Sequence, residues 1–369
     1  MRQESYTWLF SLTSKVRIRM FKVFISSRSL ERLCLEEMSK SKADQSVWFL
    51  VLSKQSTIYL DKDVYSEWDY GDPLFTFSES YEVNLKKSDI DFNSVATSMQ
   101  GKFPFEPQGA YLLDVSEDTA NTIQNDYGIV CQSTDDLTKC PLSEGERRFS
   151  LRKDEKGHSW KELLSCDPAI PSNAMIIIDR YLFGYDGSYN IGFYDAISNV
   201  EDIMSCVLPA KLRTDYHITI LYDEGNSGDR YYNIDTLACK LEKYKDTLKR
   251  PYNIVIEFMS IPKGHKGYEV THHRKILSNY FIVSADQHIK AFRKGQATAT
   301  QDVRCEYAFS AGLMNVSDPP MNSIETTLRS IHDIIHEEGV EDREQKGFVC
   351  DTTKGEKQNI SKVVNRLLI

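Results

Sequence analysis

Short apolar runs alternate along this chain with segments whose apolar positions recur three and four residues apart, a pattern that predicts strands followed by helices. Phe21-Lys-Val-Phe-Ile25 reads as a strand, and Ser29 stands as a helix cap before Leu30, Leu33, Cys34 and Met38, so residues 21–39 are expected to run strand then helix. Val47 to Leu52 and Thr57 to Leu60 are strand-like runs joined by the polar Ser53-Lys-Gln-Ser56, the pattern of a hairpin. Gly109 to Leu113 is a further apolar strand. It leads to Ser116 with Glu117 and Asp118 behind it, acids that complement the dipole of a helix start. Gly128 to Cys131 adds one more strand. Residues 20–140 are therefore expected to form an α+β domain, its role unspecified, behind an N-terminal extension at 1–19.

Residues 141–173 change character, with charged stretches around Arg147 and Arg152, then Pro168 and Pro171; they read as a linker that contains a short helix at Trp160 to Leu164. Beyond it Met175-Ile-Ile-Ile-Asp179 is apolar without a break, as expected of a strand buried on both faces. Ser198 with Glu201 forms a capping box before Val200, Ile203, Met204 and Val207. His217 to Tyr222 is a strand. Ile234, Leu237, Leu241, Tyr244 and Leu248 trace a helix, and Tyr252 to Phe258 is the next strand. A fourth strand is expected over Glu269 to Val283. That order implies right-handed crossovers and a mostly parallel sheet, with Asp179, Asp223 and Glu224 near the carboxyl edge where such sheets bind ligands. Residues 311–369 read as a C-terminal helical segment: Ser323 caps a stripe of Ile324, Leu328, Ile331 and Ile335, and Ile360 to Ile369 closes with a short helix. The expected class is α/β in two domains, an N-terminal α+β domain and a C-terminal α/β sandwich over 174–310.

Composition adds two limits. With 369 residues, 41% of them hydrophobic, a sizeable core is available, and a formal charge of -9 argues against a surface coated in basic charge for duplex DNA. The window from Lys263 to Lys294 is different, because Lys263, Lys266, Arg274, Lys275, Lys290, Arg293 and Lys294 outnumber Glu269 and Asp286. The eight cysteines are scattered with no C-x-x-C pair, which points to reduced thiols and a cytoplasmic setting. No apolar run approaches the length of a membrane span, so no membrane insertion is expected, and no motif calls for a cofactor.

The chemistry concentrates in Glu269-Val-Thr-His-His-Arg-Lys275. On a strand His272 and Arg274 share one face and His273 and Lys275 the other, and either pair sets an imidazole beside a permanent cation. Such a pair suits a phosphate: the ring attacks phosphorus or gives a proton while the cation offsets charge on the oxygens. The plainer alternative is a solvated basic strand end. The stretch resembles the phospholipase D-like family, whose signature H-x-K-x-x-x-x-D is followed by G-S-x-N. His272, Arg274 and Asn279 stand at the three signature positions, and Ser284 with Asp286 stand for the second part. The resemblance implies attack by His272 on a phosphodiester, Arg274 and Asn279 holding oxygens, no metal, and a second histidine from a homodimer mate. A competing register, His273-Arg-Lys275, places Tyr280 at the acidic position. The function that follows is nucleic-acid binding or cleavage, on DNA or RNA. The alternative is a catalytically inactive interaction module of a larger complex.

Two metal readings stand beside these. Asp61, Asp63 and Glu67 cluster after an apolar strand in a pattern similar to the first strand of PIN-type nucleases, and a further alternative function is a metal-dependent nuclease in the N-terminal half through Asp61, Asp63 and Asp114. His332 and His336 have the i, i+4 spacing of a metal-binding pair but no evident third ligand.

Overall fold

The structure is a computed structural model that describes residues 21–61, 71–89, 106–143, 146–165, 170–184, 189–222, 234–261, 268–310, 319–336, 348–353 and 355–369. The amino-terminal half supplies β1 (Lys22–Ile25), α1 (Ser27–Glu37), α2 (Val47–Lys54), β2 (Thr57–Leu60), α3 (Pro73–Tyr81), β3 (Leu85–Lys87), β4 (Gly109–Leu113), α4 (Glu117–Tyr127) and β5 (Val130–Ser133). The strands form a five-stranded sheet of order β3-β2-β1-β4-β5 in which every pairing is parallel. The expected hairpin over 47–60 is thus corrected. Val47–Lys54 is a helix capped by the Ser46 hydroxyl, which accepts from Phe49 N–H at 3.3 Å. Trp48 to Leu52 are all buried, so the helix is apolar around its whole girth and carries no stripe to distinguish it from a buried strand.

The second sheet draws on β6 (Arg147–Leu151), β7 (Ala174–Ile178), β8 (Tyr216–Tyr222), β9 (Ile254–Ser260), β10 (Lys275–Ser278) and β11 (Phe281–Ala285). After a two-stranded ribbon, β12 (Phe292–Arg293) with β13 (Gln296–Ala297), come β14 (Gln301–Tyr307), β15 (Phe348–Asp351) and β16 (Lys357–Asn359). Its helices are α5 (Trp160–Leu164), α6 (Tyr189–Val207), α7 (Ile234–Leu248) and α8 (Pro320–Ile335). The nine strands lie in the order β16-β15-β9-β8-β7-β10-β11-β14-β6, and only β7, β8 and β9 run parallel. The expectation of a mostly parallel sheet fails because Glu269 to Val283 is not one strand. Tyr268–His272 is a 3-10 turn, and the chain then reverses at Asn279 and Tyr280, a two-residue connection that only antiparallel neighbours allow. The span read as a linker contributes β6 to the sheet edge, and the tail contributes β15 and β16.

Three further local readings change. Helix α6 begins at Tyr189, so Ser198 lies inside it; α8 begins after Pro319, so Ser323 is not its cap; and only Ile360–Lys362, a 3-10 turn, is helical near the carboxyl end. In the first two cases a longer apolar stripe or a proline starts the helix upstream of the hydroxyl residue that the spacing suggested.

Strand alternation sorts the buried side chains. Ile176, Ile178, Leu277 and Ile282 enter one core together with Val23, Ile58 and Leu112 of the five-stranded sheet and Ile324, Leu328 and Ile331 of α8. Met175, Ile177, Ile276 and Val283 enter the other, against Trp160, Val200, Ile203 and Leu237. Tyr280 ties the sheets together, its phenol donating to Gly109 O at 2.8 Å and accepting from Val130 N–H at 3.0 Å. Among the described residues no helix is long and apolar enough to cross a membrane.

Candidate anion-binding site

Asp179 is the first residue past the carboxyl end of β7, the edge where the sequence placed it. It is buried; Oδ1 accepts from Tyr181 N–H at 2.9 Å and Oδ2 from Ile289 N–H at 2.7 Å. Burial pushes its carboxyl above the usual range, opposed by those two N–H groups and by the nearby charges of Lys290 and Arg274. Because β10 runs antiparallel to β7 with Lys275 opposite Ile178, the next step of register sets Arg274 beside Asp179. Arg274 lies just outside the strand and is half-buried. Among the described residues its side chain makes no hydrogen bond or ion pair.

The neighbouring loops add charge of the same sign. His272 ends the 3-10 turn with its side chain 37% exposed, and its Nε2 lies 2.7 Å from Arg180 Nη1. A guanidinium can only donate, so Nε2 accepts and the ring proton sits on Nδ1. Arg180 is fixed through its backbone N–H to Thr271 O at 3.0 Å, and its guanidinium lies 4.6 Å from the Tyr268 ring centroid and 5.2 Å from that of Tyr181. Lys290, only 7% exposed, reaches Gly184 O at 3.5 Å. Three loops, 179–184, 268–274 and 286–291, therefore bring Arg180, Arg274, Lys290 and His272 to one edge of the sheet. Among the described residues of these loops the acids are the buried Asp179, Asp286, whose Oδ2 accepts from Asp302 N–H, and the exposed Glu269, whose Oε2 is 4.0 Å from His272 Nε2. A guanidinium fork without an ion pair among the described residues, at the same edge as further cations, suits a phosphate oxygen.

The other expected residues fall elsewhere. Asn279 is fully buried in the β10–β11 turn, separated from His272 by the whole length of β10, about 13 Å at some 3.3 Å per residue. Its amide serves the backbone: Oδ1 accepts from Asn173 N–H at 3.0 Å and Ala174 N–H at 3.1 Å, and Nδ2 donates to Pro107 O at 2.6 Å. The placement of Asn279 beside His272 is corrected on that ground. Ser284 pairs across from Lys275 and Arg304, while Asp286 closes the β11–β14 ladder, its Oδ2 accepting from Asp302 N–H at 3.2 Å. The competing register turns away, since Lys275 Nζ lies 3.2 Å from Thr327 Oγ1 and 3.4 Å from Ser323 Oγ, both on α8. Burial pushes the Lys275 ammonium down. It does the same to His273, helped by Lys275 and His272.

The carboxylates of the five-stranded sheet are held by hydroxyls. Asp61 Oδ1 accepts from Ser27 N–H at 2.8 Å and Ser27 Oγ at 2.7 Å; Asp114 accepts from Ser26 Oγ at 2.7 Å, Ser29 Oγ at 2.6 Å and Thr134 Oγ1. Burial alone would raise the Asp114 carboxyl, but those hydroxyls and Arg32 hold it below the usual range. Asp63, Glu67, Asp223 and Glu224 lie outside the described residues. The His332 and His336 rings are 4.2 Å apart, and among the described residues no three metal-ligating side chains come together.

Arg180 and Tyr268 were not singled out from the sequence, and Lys290 only as one cation of many. Arg180 follows directly on Asp179 at a strand end, which was the available signal. No protein-family model matches the chain, and no curated protein matches it significantly.

Proposed function

We propose that the protein engages phosphodiesters, most directly a nucleic-acid backbone, and does so as a binding module at the carboxyl edge of β7. The observation that carries this reading is Arg274: a half-buried guanidinium with no ion pair among the described residues, at the sheet edge that also carries Lys290 and the Arg180–His272 pair. Binding is favoured over cleavage because the Nε2 lone pair of His272 is occupied by Arg180. The strand-helix-strand-helix-strand order over 174–260, followed by His272 and Arg274, is what supports a divergent phospholipase D-like unit, with the five-stranded sheet as a second unit. In that version a ligand phosphate draws Arg180 away, frees Nε2 for attack, and a dimer mate supplies the proton.

One assay separates the versions: fluorescence anisotropy of a labelled oligonucleotide in EDTA, with the same samples run on a denaturing gel, for wild type, Arg274→Ala and His272→Ala. Weakened binding in Arg274→Ala without cleavage by any protein is the expected result. Metal-independent cleavage that His272→Ala abolishes would establish the phosphohistidine route. Equal behaviour of wild type and Arg274→Ala would overturn the proposal.

A further inference from the structure

The cations at the β7 edge are accompanied by exposed aromatic rings. Among the described residues Tyr181 is 44% and Tyr194 60% exposed, two of the few large apolar side chains left in solvent. Both follow β7 in the chain. Tyr181 lies two residues beyond Asp179, its backbone held by the Asp179 carboxylate at 2.9 Å. Tyr194 sits in the early part of α6, next to Asp195, whose carboxylate accepts from Arg293 Nε at 2.5 Å on the strand just after Lys290. One face of the Tyr181 ring is toward the Arg180 guanidinium, and Tyr268 lies against that guanidinium too. A planar cation packed near both rings favours one orientation of the Tyr181 ring although it is exposed.

An exposed ring packed on one of a group of cations suited to phosphate matches a ligand that carries both a phosphate and a flat π surface. Inorganic phosphate and a phospholipid headgroup lack the π surface. A duplex buries its base faces in its own stack. We infer that the ligand of this site is single-stranded nucleic acid, with an unpaired base stacked on Tyr181 and the adjoining phosphate held by Arg274 and Lys290. The inference rests on the proposed phosphodiester reading. The acidic charge of the whole chain, -9, fits a short local contact rather than a long electrostatic track.

The test is anisotropy with labelled oligothymidylate and oligouridylate twelve-mers, the corresponding duplex, and polyphosphate as competitor, across a salt series. Tyr181→Ala is expected to weaken single-strand binding about tenfold, Tyr181→Trp to keep it, and neither to change the salt slope. Arg274→Ala is expected to reduce that slope by about 0.7, the value for one phosphate contact on a single strand. Because the Tyr181 side chain is exposed, an unchanged melting temperature serves as the folding control. Duplex and single strand bound alike, with Tyr181→Ala indistinguishable from wild type, would overturn this inference while leaving phosphodiester binding in place. Failure of wild type to bind any of the polyanions would overturn both.

Discussion

Replacing Asn279 by aspartate would install the acid that the phospholipase D-like signature carries at that position. If the residue lined a phosphate site, function should improve; the structure implies a loss of stability instead. Asn279 is 0% exposed, and its two amide atoms do opposite jobs. Oδ1 accepts from Asn173 N–H, Ala174 N–H and Ser172 Oγ at 3.0, 3.1 and 3.3 Å, and Nδ2 donates to Pro107 O and Asn173 Oδ1 at 2.6 and 3.0 Å. Aspartate keeps the accepting side and turns both donated bonds into contacts between oxygens. Each buried oxygen left without its donor costs roughly 1–3 kcal/mol, so the pair costs about 4 kcal/mol. Asn173 cannot relieve the contact by flipping its amide, because its own Nδ2 donates to Tyr127 O at 2.8 Å.

With 369 residues and about 2.1 cal/mol/K of unfolding entropy per residue, about 4 kcal/mol lowers the melting temperature by roughly 5 °C. Asn279→Ala loses the acceptor as well and should fall at least as far. A protonated carboxyl recovers one donor, so the deficit of Asn279→Asp should shrink at acid pH while that of Asn279→Ala does not. Thermal melts and urea titrations read these shifts, and anisotropy with a labelled oligonucleotide should show both variants binding as wild type does below their melting points. An Asn279→Asp protein as stable as wild type, or one with gained binding or cleavage, would refute the placement of this residue in an inter-sheet brace.

Other expectations follow from the same geometry. Burial pushes Glu257 from 4.5 up to about 7, so its contribution to stability is present below pH 4.5 and is lost as pH rises through 7, about 3 kcal/mol in all. Burial, with Arg366 nearby, lowers His217 to about 4, so its contribution is present above pH 6.5 and is lost as pH falls toward 4. The two slopes oppose each other between pH 4.5 and 6.5; Glu257→Gln should therefore expose a loss of stability as pH is lowered from 6.5 to 4.5 on urea titration, and an unchanged profile would count against the assignment. Lys275→Met should leave oligonucleotide binding unchanged and shift stability by no more than about 1 kcal/mol, because its ammonium serves Ser323 and Thr327 rather than the site; weakened binding would favour the His273–Lys275 register. Gly128, at φ +61, has Ser172 O only 2.3 Å from where a Cβ would stand, so Gly128→Ala should cost more than about 2 kcal/mol in a urea titration, and a smaller loss would show that the backbone there yields.

What the sequence disclosed was local. β7, β8 and β9 and the helix α7 were recognisable because a continuous apolar run and a 3.6-residue stripe are each complete within a short window. Val47–Lys54 is not recognisable as a helix for the complementary reason, since a helix apolar on every side shows no stripe. The run Ile276 to Val283 was misread because its turn is marked only by Asn279, and the partners that let an asparagine sit buried there, Asn173 and Pro107, are more than a hundred residues away. No spacing rule reports a satisfaction that distant.

The same distinction governs the site. A motif written as H-x-R-x-x-x-x-N assumes that its residues share one extended strand, where the first and eighth positions lie along one line. Once the chain turns at Asn279, β10 becomes a spacer that carries His272 to one edge of the sheet and Asn279 to the other. The density of cations between 263 and 294 is visible without a register, and the fold gathers two of them: antiparallel pairing on β7 brings the start of β10, with Arg274, to the carboxyl edge, and the turn at Asn279 sends β11 back to the same edge, where Lys290 follows. Arg180, 92 residues before its partner His272, could be anticipated only from its place beside Asp179 at the end of a parallel strand. The edge of the sheet, more than the motif, is what located the chemistry.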